Sequence, residues 1–252
     1  MKKILLISIL IHFFSSCNEK TETTIESTNE TKHKKQTLEE IVHRHVQAQL
    51  SMPATEKYTL NIYKEHLDGD NKLDAIITVN RLEFAINESK KSGKYEKHSE
   101  LGFTGHYNYI FYYDGQLNQI SPSILVPSSP AAKLKINFTN LISDVSKDIA
   151  VDYKIRNSSF RNYYTVINHT PRLVFQWKLY DFLGEKKEEA NFIELESGTI
   201  GLSKDIVIYK GKMINSNNVK DIYQFEPQII KNGELLYRFF YLEKEGKYFT
   251  KK

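Results

Sequence analysis

Asp68, Asp70 and Asp74 lie within one short stretch, His66-Leu67-Asp68-Gly69-Asp70-Asn71-Lys72-Leu73-Asp74, which runs straight into Ala75-Ile76-Ile77-Thr78-Val79. Carboxylates at alternating and then fourth positions around a glycine gather oxygens for a hard cation over a short span of chain. Calcium takes six to eight such oxygens. Without a cation, the crowded carboxylates repel one another and raise each other's pKa. The plainer reading is a solvated acidic turn, in which Asp and Gly serve only the backbone shape.

No other stretch carries comparable chemistry. The chain has no Gly-x-Ser-x-Gly, no His-Glu-x-x-His, no glycine-rich phosphate loop and no nucleophilic cysteine motif. Glu194 and Glu196 alternate on one strand face and offer a glycosidase-like pair, though carboxylates so placed are usually solvated charge. His98, His106 and His169 are scattered, without ligand spacing, and His43 and His45 face different ways on a helix. Trp177, Tyr107, Tyr109, Tyr112 and Tyr113 offer stacking surfaces for a sugar, but alternating aromatics are more often core.

The elements that must position the acidic loop are mostly strands. The chain has 252 residues, 40% hydrophobic and 12% aromatic, enough for one large or two small domains with a buried core. A net charge of +4 is too weak a field for a nucleic-acid partner, and no RNP-like or zinc-finger pattern appears. The single cysteine, Cys17, excludes an intramolecular disulfide.

Met1-Lys2-Lys3 followed by the apolar run Ile4 to Phe14 reads as a signal segment, since the run is short for a membrane span. Phe14-Ser15-Ser16-Cys17 resembles the lipobox of bacterial lipoproteins, with Phe14 where a smaller aliphatic residue is usual. That resemblance implies lipid on Cys17, palmitate included, and attachment to a membrane without a spanning helix. Residues 1–16 would then be a signal peptide, 17–36 a polar tether, and 37–252 the folded domain. Asn18-Glu19-Lys20 loosely resembles the export signals of surface lipoproteins in Bacteroidetes, implying an outer-membrane and surface location.

Thr37-Leu38-Glu39-Glu40 has capping-box form, and Leu38, Ile41, Val42, His45, Val46 and Gln49 make a helical stripe ended by Pro53. This predicts one short N-terminal helix on a sheet edge. Tyr58-Leu60-Ile62, Ala75 to Phe84 and Tyr107 to Tyr113 read as strands, with a hairpin turn at Asp114-Gly115. Asn87 to Gly102, charged and glycine-dotted, reads as a mobile surface loop. Further strands are expected at 134–138, 149–155, 163–167, 173–179, 206–209, 222–225 and 235–242. Turns are expected at Asn157-Ser158, Leu183-Gly184 and Asn232-Gly233.

The acidic loop has echoes. Leu67 to Ile77 aligns on Leu141 to Val151, keeping the leucine and the aspartates Asp144 and Asp148, and Leu202-Ser203-Lys204-Asp205 repeats the end of that second copy. The first copy resembles the calcium loop of FG-GAP repeats, the units of integrin-type β-propellers. Carried over residue by residue, the resemblance implies calcium ligands at Asp68, Asp70 and Asp74 and the backbone carbonyl of Lys72. His66 stands where that family has its first aspartate, and Asn71 where it has a second glycine.

The expected fold is therefore mainly β: antiparallel sheets from degenerate FG-GAP-like units, arranged as a partial propeller or a β-sandwich, with one N-terminal helix. The expected function is a non-enzymatic, lipid-anchored envelope protein presenting a calcium-steadied module to a protein or glycan ligand. The alternative is an envelope hydrolase acting on glycan or peptidoglycan.

Overall fold

The computed structural model describes residues 36–216 and 219–250. Cys17, the signal segment and nearly all of the tether lie outside these residues. No described helix is long and apolar enough to cross a membrane.

The N-terminal stripe folds as α1 (Leu38–Gln49) and buries Val42 and Val46. It lies on the face of a sheet and not at its edge, because those valines pack against Ile77, Val79 and Phe111. That sheet is an antiparallel meander of β1 (Thr59–Glu65), β2 (Asp74–Asn80), β3 (Asn108–Asp114) and β4 (Gln119–Ile120), with β5 (Ile124–Leu125) also paired to β3. The acidic loop joins β1 to β2.

The insertion between β2 and β3 departs from expectation. The strand ends at Asn80 instead of Phe84, and α2 (Leu82–Lys91) and α3 (Tyr95–Glu100) replace the expected loop. The Asn80 side-chain oxygen accepts from the Leu82 N–H at 3.0 Å and so satisfies an orphan donor of the first turn. Glu, Ala and Lys then favour helix over strand.

Eight further antiparallel strands follow in sequence order: β6 (Lys135–Thr139), β7 (Asp148–Ile155), β8 (Ser158–Ile167), β9 (Thr170–Asp181), β10 (Glu189–Glu196), β11 (Asp205–Ile214), β12 (Gln228–Leu242) and β13 (Lys247–Phe249). They divide into two meanders, β6–β9 and β10–β13, because β9 and β10 share only the pairs Asp181–Glu189 and Tyr180–Ala190. The alternating residues of β7 explain the stacking. Ile149, Val151 and Tyr153 join Ile76, Ile110 and Tyr112 of the first meander in one core. Ala150, on the opposite face, joins Ile206, Ile208 and Phe239 of the third. The layers are thus α1, first meander, second meander and third meander, a mainly β sandwich-like stack. The third meander turns a charged ladder outward, with Glu194 on Lys231 and Glu196 on Arg238.

Two expectations near the C-terminus also fail. Residues 222–225 form a turn: the Phe225 N–H bonds the Asp221 carbonyl at 2.9 Å, and the Asp221 side chain accepts from the Tyr223 N–H at 2.8 Å. Asn232-Gly233 does not end a strand either. It lies inside β12, where the register opposite Tyr209 and Gly211 shifts and Gly233 takes φ +84°, so it bulges the strand instead of reversing it.

Candidate functional site

The loops joining β1 to β2, β6 to β7 and β10 to β11 occupy the same place in their three meanders, and each ends on a buried aspartate that opens the second strand. Asp74, Asp148 and Asp205 are 0%, 1% and 2% exposed. Asp74 accepts from the Leu67 N–H at 3.0 Å, and Asp148 accepts from the Leu141 N–H at 2.8 Å, seven residues back in both cases. Asp148 also takes the Ile142 N–H at 2.8 Å, while Asp205 takes the Thr199 N–H at 3.3 Å and Arg238 at 3.1 Å. The loops are tied in series. The Lys147 N–H bonds the His66 carbonyl at 2.9 Å, and the Lys204 N–H bonds the Leu141 carbonyl at 2.7 Å. A buried carboxylate that folds its own loop is the common element.

Each residue expected to ligate calcium has a distinct surrounding. Asp74 uses both oxygens on backbone donors, the second at 2.9 Å on the Gly115 N–H of the β3–β4 turn. Gly115 fits there because a Cβ would sit 2.3 Å from the Leu73 carbonyl oxygen. The Lys72 carbonyl accepts from His66 Nδ1 at 2.9 Å, so His66, in place of the expected aspartate, closes the loop as a donor. Asp68 Oδ1 accepts the Asp70 N–H at 2.9 Å, and Asp70 Oδ1 accepts the Lys72 N–H at 2.6 Å. That leaves Asp68 Oδ2 facing inward and Asp70 Oδ2 buried with no partner.

Two residues from elsewhere complete the group. Asp114, at the end of β3, and His169, in the β8–β9 hairpin turn, meet Asp68 so that one ligand atom from each lies within 4.8 Å of the others. His169 Nδ1 is 2.6 Å from Asp114 Oδ2 and 3.9 Å from Asp68 Oδ2. Tyr112 donates its hydroxyl to Asp68 at 3.4 Å. Burial first, then the charges of Asp74, Asp68 and Asp114, push the Tyr112 phenol far up, so it stays a donor. Burial, followed by the neighbouring carboxylates, also raises Asp68 above its usual value.

Neither Asp114 nor His169 stood out in the sequence. Asp114-Gly115 carries the signature of a turn, and His169 is 55 residues further on. Only the stacking of the second meander on the first brings them together. The hairpin turn contributes by shape, since Asn168 and His169 both take positive φ, +49° and +61°, which matches the twist of a two-residue hairpin.

Glu194 and Glu196 are not joined in a cleft. Each binds a cation on the outer face, Lys231 and Arg238 respectively, and the Arg238 hydrogen bond lowers Glu196, opposite to what a general acid requires. Trp177 stacks on Phe175 at 5.9 Å with the rings 6° apart, within the second core. His43 and His45 bond Tyr58 and the Ser121 carbonyl at 2.7 and 3.3 Å.

Fold and site together define a mainly β protein of three stacked antiparallel meanders with an acidic, imidazole-bearing cluster between the first two. Comparison with family models, with curated proteins and with solved structures returns no match to this chain.

Proposed function

We propose that this chain is a lipid-anchored envelope protein that presents an interaction module, its first two meanders steadied by calcium, without catalysis of its own. The observation that carries the reading is the convergence of Asp68, Asp114 and His169 from two meanders on one point. A cation there would tie the stack across its layer boundary. The donor set fits a weakly held ion: inward oxygens of Asp68 and Asp114, with water filling the rest, as in extracellular calcium modules of Kd about 10⁻⁴–10⁻³ M. The imidazole of His169 favours a second reading, in which a borderline ion such as zinc or manganese takes the place of calcium.

The test is the melting temperature of the folded protein with calcium, with zinc or manganese, and with chelator. At ten times Kd, binding adds about 1.4 kcal/mol, or roughly 3–6 °C for a domain of this size. Asp68→Asn is expected to remove that shift while leaving the chelated protein no less stable, because it relieves a raised, repelled carboxylate. Protons compete with the ion for Asp68, so the shift should shrink as pH falls from 7 toward the carboxylate range near about 4. A melting curve indifferent to all three ions would remove the cation from the proposal.

The anchor rests on Cys17 alone. Cys17→Ser is expected to abolish palmitate labelling and to move the protein from the membrane to the soluble fraction. Retention in the membrane after that change would overturn it.

A further inference from the structure

A polar groove on the far side of the first meander from α1 has no role in the cation cluster. In the register of that sheet, Thr59, Asn80 and Asn108 form one cross-strand row, and Asn61 and Thr78 sit in the next. They line a recess of about 190 Å³ that includes Tyr63 and Lys133. Such amide- and hydroxyl-bearing positions break the apolar face that Ile76, Ile110 and Tyr112 maintain further along the same strands. Asn108 is fully buried, donates to Ser128 at 2.8 Å, and leaves its side-chain oxygen with no partner. A buried acceptor left unmade is costly, so it calls for a donor from whatever fills the recess.

Lys133 joins this recess to two larger ones, of about 460 and 290 Å³. The first falls within the range of about 300–1,000 Å³ usual for ligand sites. Their walls are positive. Lys133 has no carboxylate partner among the described residues, and Lys154 spends its ammonium on the carbonyls of Ile222, Tyr223 and Phe225. Of the carboxylates that line them, Glu226 is held by Lys135 and Asp152 by Arg161. Burial, then the charge of Lys135, lowers Lys154 to about 8. The buried Tyr180 hydroxyl in the third recess is also without a partner.

We infer that this groove binds an acidic saccharide, its hydroxyls on Asn108 and Asn61, a ring face on Tyr63, and its carboxylate on Lys133. A row of neutral hydrogen-bonding side chains beside one aromatic and a fixed positive charge matches a hydroxyl-rich, anionic ring. A bare anion would leave the amide row unused, and a peptide of acidic residues would have no ring to lay on Tyr63. The inference rests on the reading of the chain as an interaction module, but on neither the cation nor the lipid.

The experiment is calorimetric titration of the full chain with trigalacturonate in calcium-free buffer. The controls are its methyl ester, inorganic phosphate and a glutamate oligopeptide. Saturable binding of trigalacturonate is expected, at least tenfold weaker for the methyl ester. Lys133→Glu should cost at least tenfold, and Tyr63→Ala should weaken the acid and the ester alike. Both residues are at the surface, and an unchanged melting temperature checks that the variants are folded. No binding of the trisaccharide overturns the inference. So does equal binding of phosphate or of the peptide, or affinity untouched by Lys133→Glu. The calcium response and membrane retention are read on the same protein, so a failed titration with both intact removes this inference alone.

Discussion

Asp74→Ala is expected to destabilise the protein by about 2–5 kcal/mol, and by the same amount with calcium as with chelator. The carboxylate is fully buried and accepts the N–H groups of Leu67 and Gly115, at 3.0 and 2.9 Å. Each buried donor left without its acceptor costs about 1–3 kcal/mol. The loss opens both ends of the arrangement at once: the start of the acidic loop and the β3–β4 turn that carries Asp114. Asp74→Asn should cost less, because the amide keeps one acceptor oxygen. Urea unfolding followed by circular dichroism measures both changes. Were Asp74 chiefly a calcium ligand, its removal would cost more in calcium than in chelator. That outcome would overturn the structural role assigned to it. The contrast with Asp68→Asn is the informative one, since Asp68 is expected to act in the opposite way: small effect on the fold, large effect on the cation response. The same test on Asp148→Ala should give a loss of similar size, since Asp148 holds the Leu141 and Ile142 N–H groups.

Arg81→Ala is expected to cost about 3–5 kcal/mol. Arg81 meets Glu56 through two bonds, Nε to Oε1 at 2.6 Å and the terminal nitrogen to Oε2 at 2.8 Å. The two side chains are only 11% and 7% exposed, so removing one leaves the other charged and buried. The guanidinium also lies 4.2 Å over the Phe84 ring, and the Arg81 backbone N–H bonds the Tyr107 carbonyl at 2.9 Å. The pair therefore fastens the segment after α1 to the junction between β2 and α2. A double-mutant cycle with Glu56→Leu and Arg81→Leu separates the terms. The double variant should be far more stable than the sum of the single losses predicts, because well-packed apolar groups replace a buried ion pair at little cost. Additive losses would mean that the ion pair contributes nothing beyond its packing.

The sequence held most of the strand content and one complete device. Period-two alternation located β1, β2, β3 and β7 to within a few residues, and the capping box with its valine stripe located α1. These signals are local, since a strand or helix that buries one face must show it in its own spacing. The misreadings arose where local signals compete. Leu82 to Lys91 carries enough apolar residues to prolong a strand, yet the Asn80 side chain on the Leu82 N–H and helix-favouring residues turned it into α2. Asn232-Gly233 has turn chemistry, but its neighbours on both sides pair with β11, so the glycine's positive φ became a bulge.

What the sequence by itself determined is the repeated unit: an aspartate seven residues after a leucine, closing a loop and opening an apolar strand. Asp74 and Asp148 do this alike because the hydrogen bond from that aspartate to the leucine N–H spans only the loop. What only the tertiary structure decided is which oxygens remain for a cation and what else faces them. Asp68 shares its inward side with Asp114 and His169, which are 46 and 101 residues away along the chain. Their meeting depends on two meanders packing Ile76 and Tyr112 against Ile149 and Tyr164. Apolar burial has no direction of its own, so the spacing along each strand shows which face is buried but not against which meander. The polar groups it brings together can be seen only once the layers are stacked.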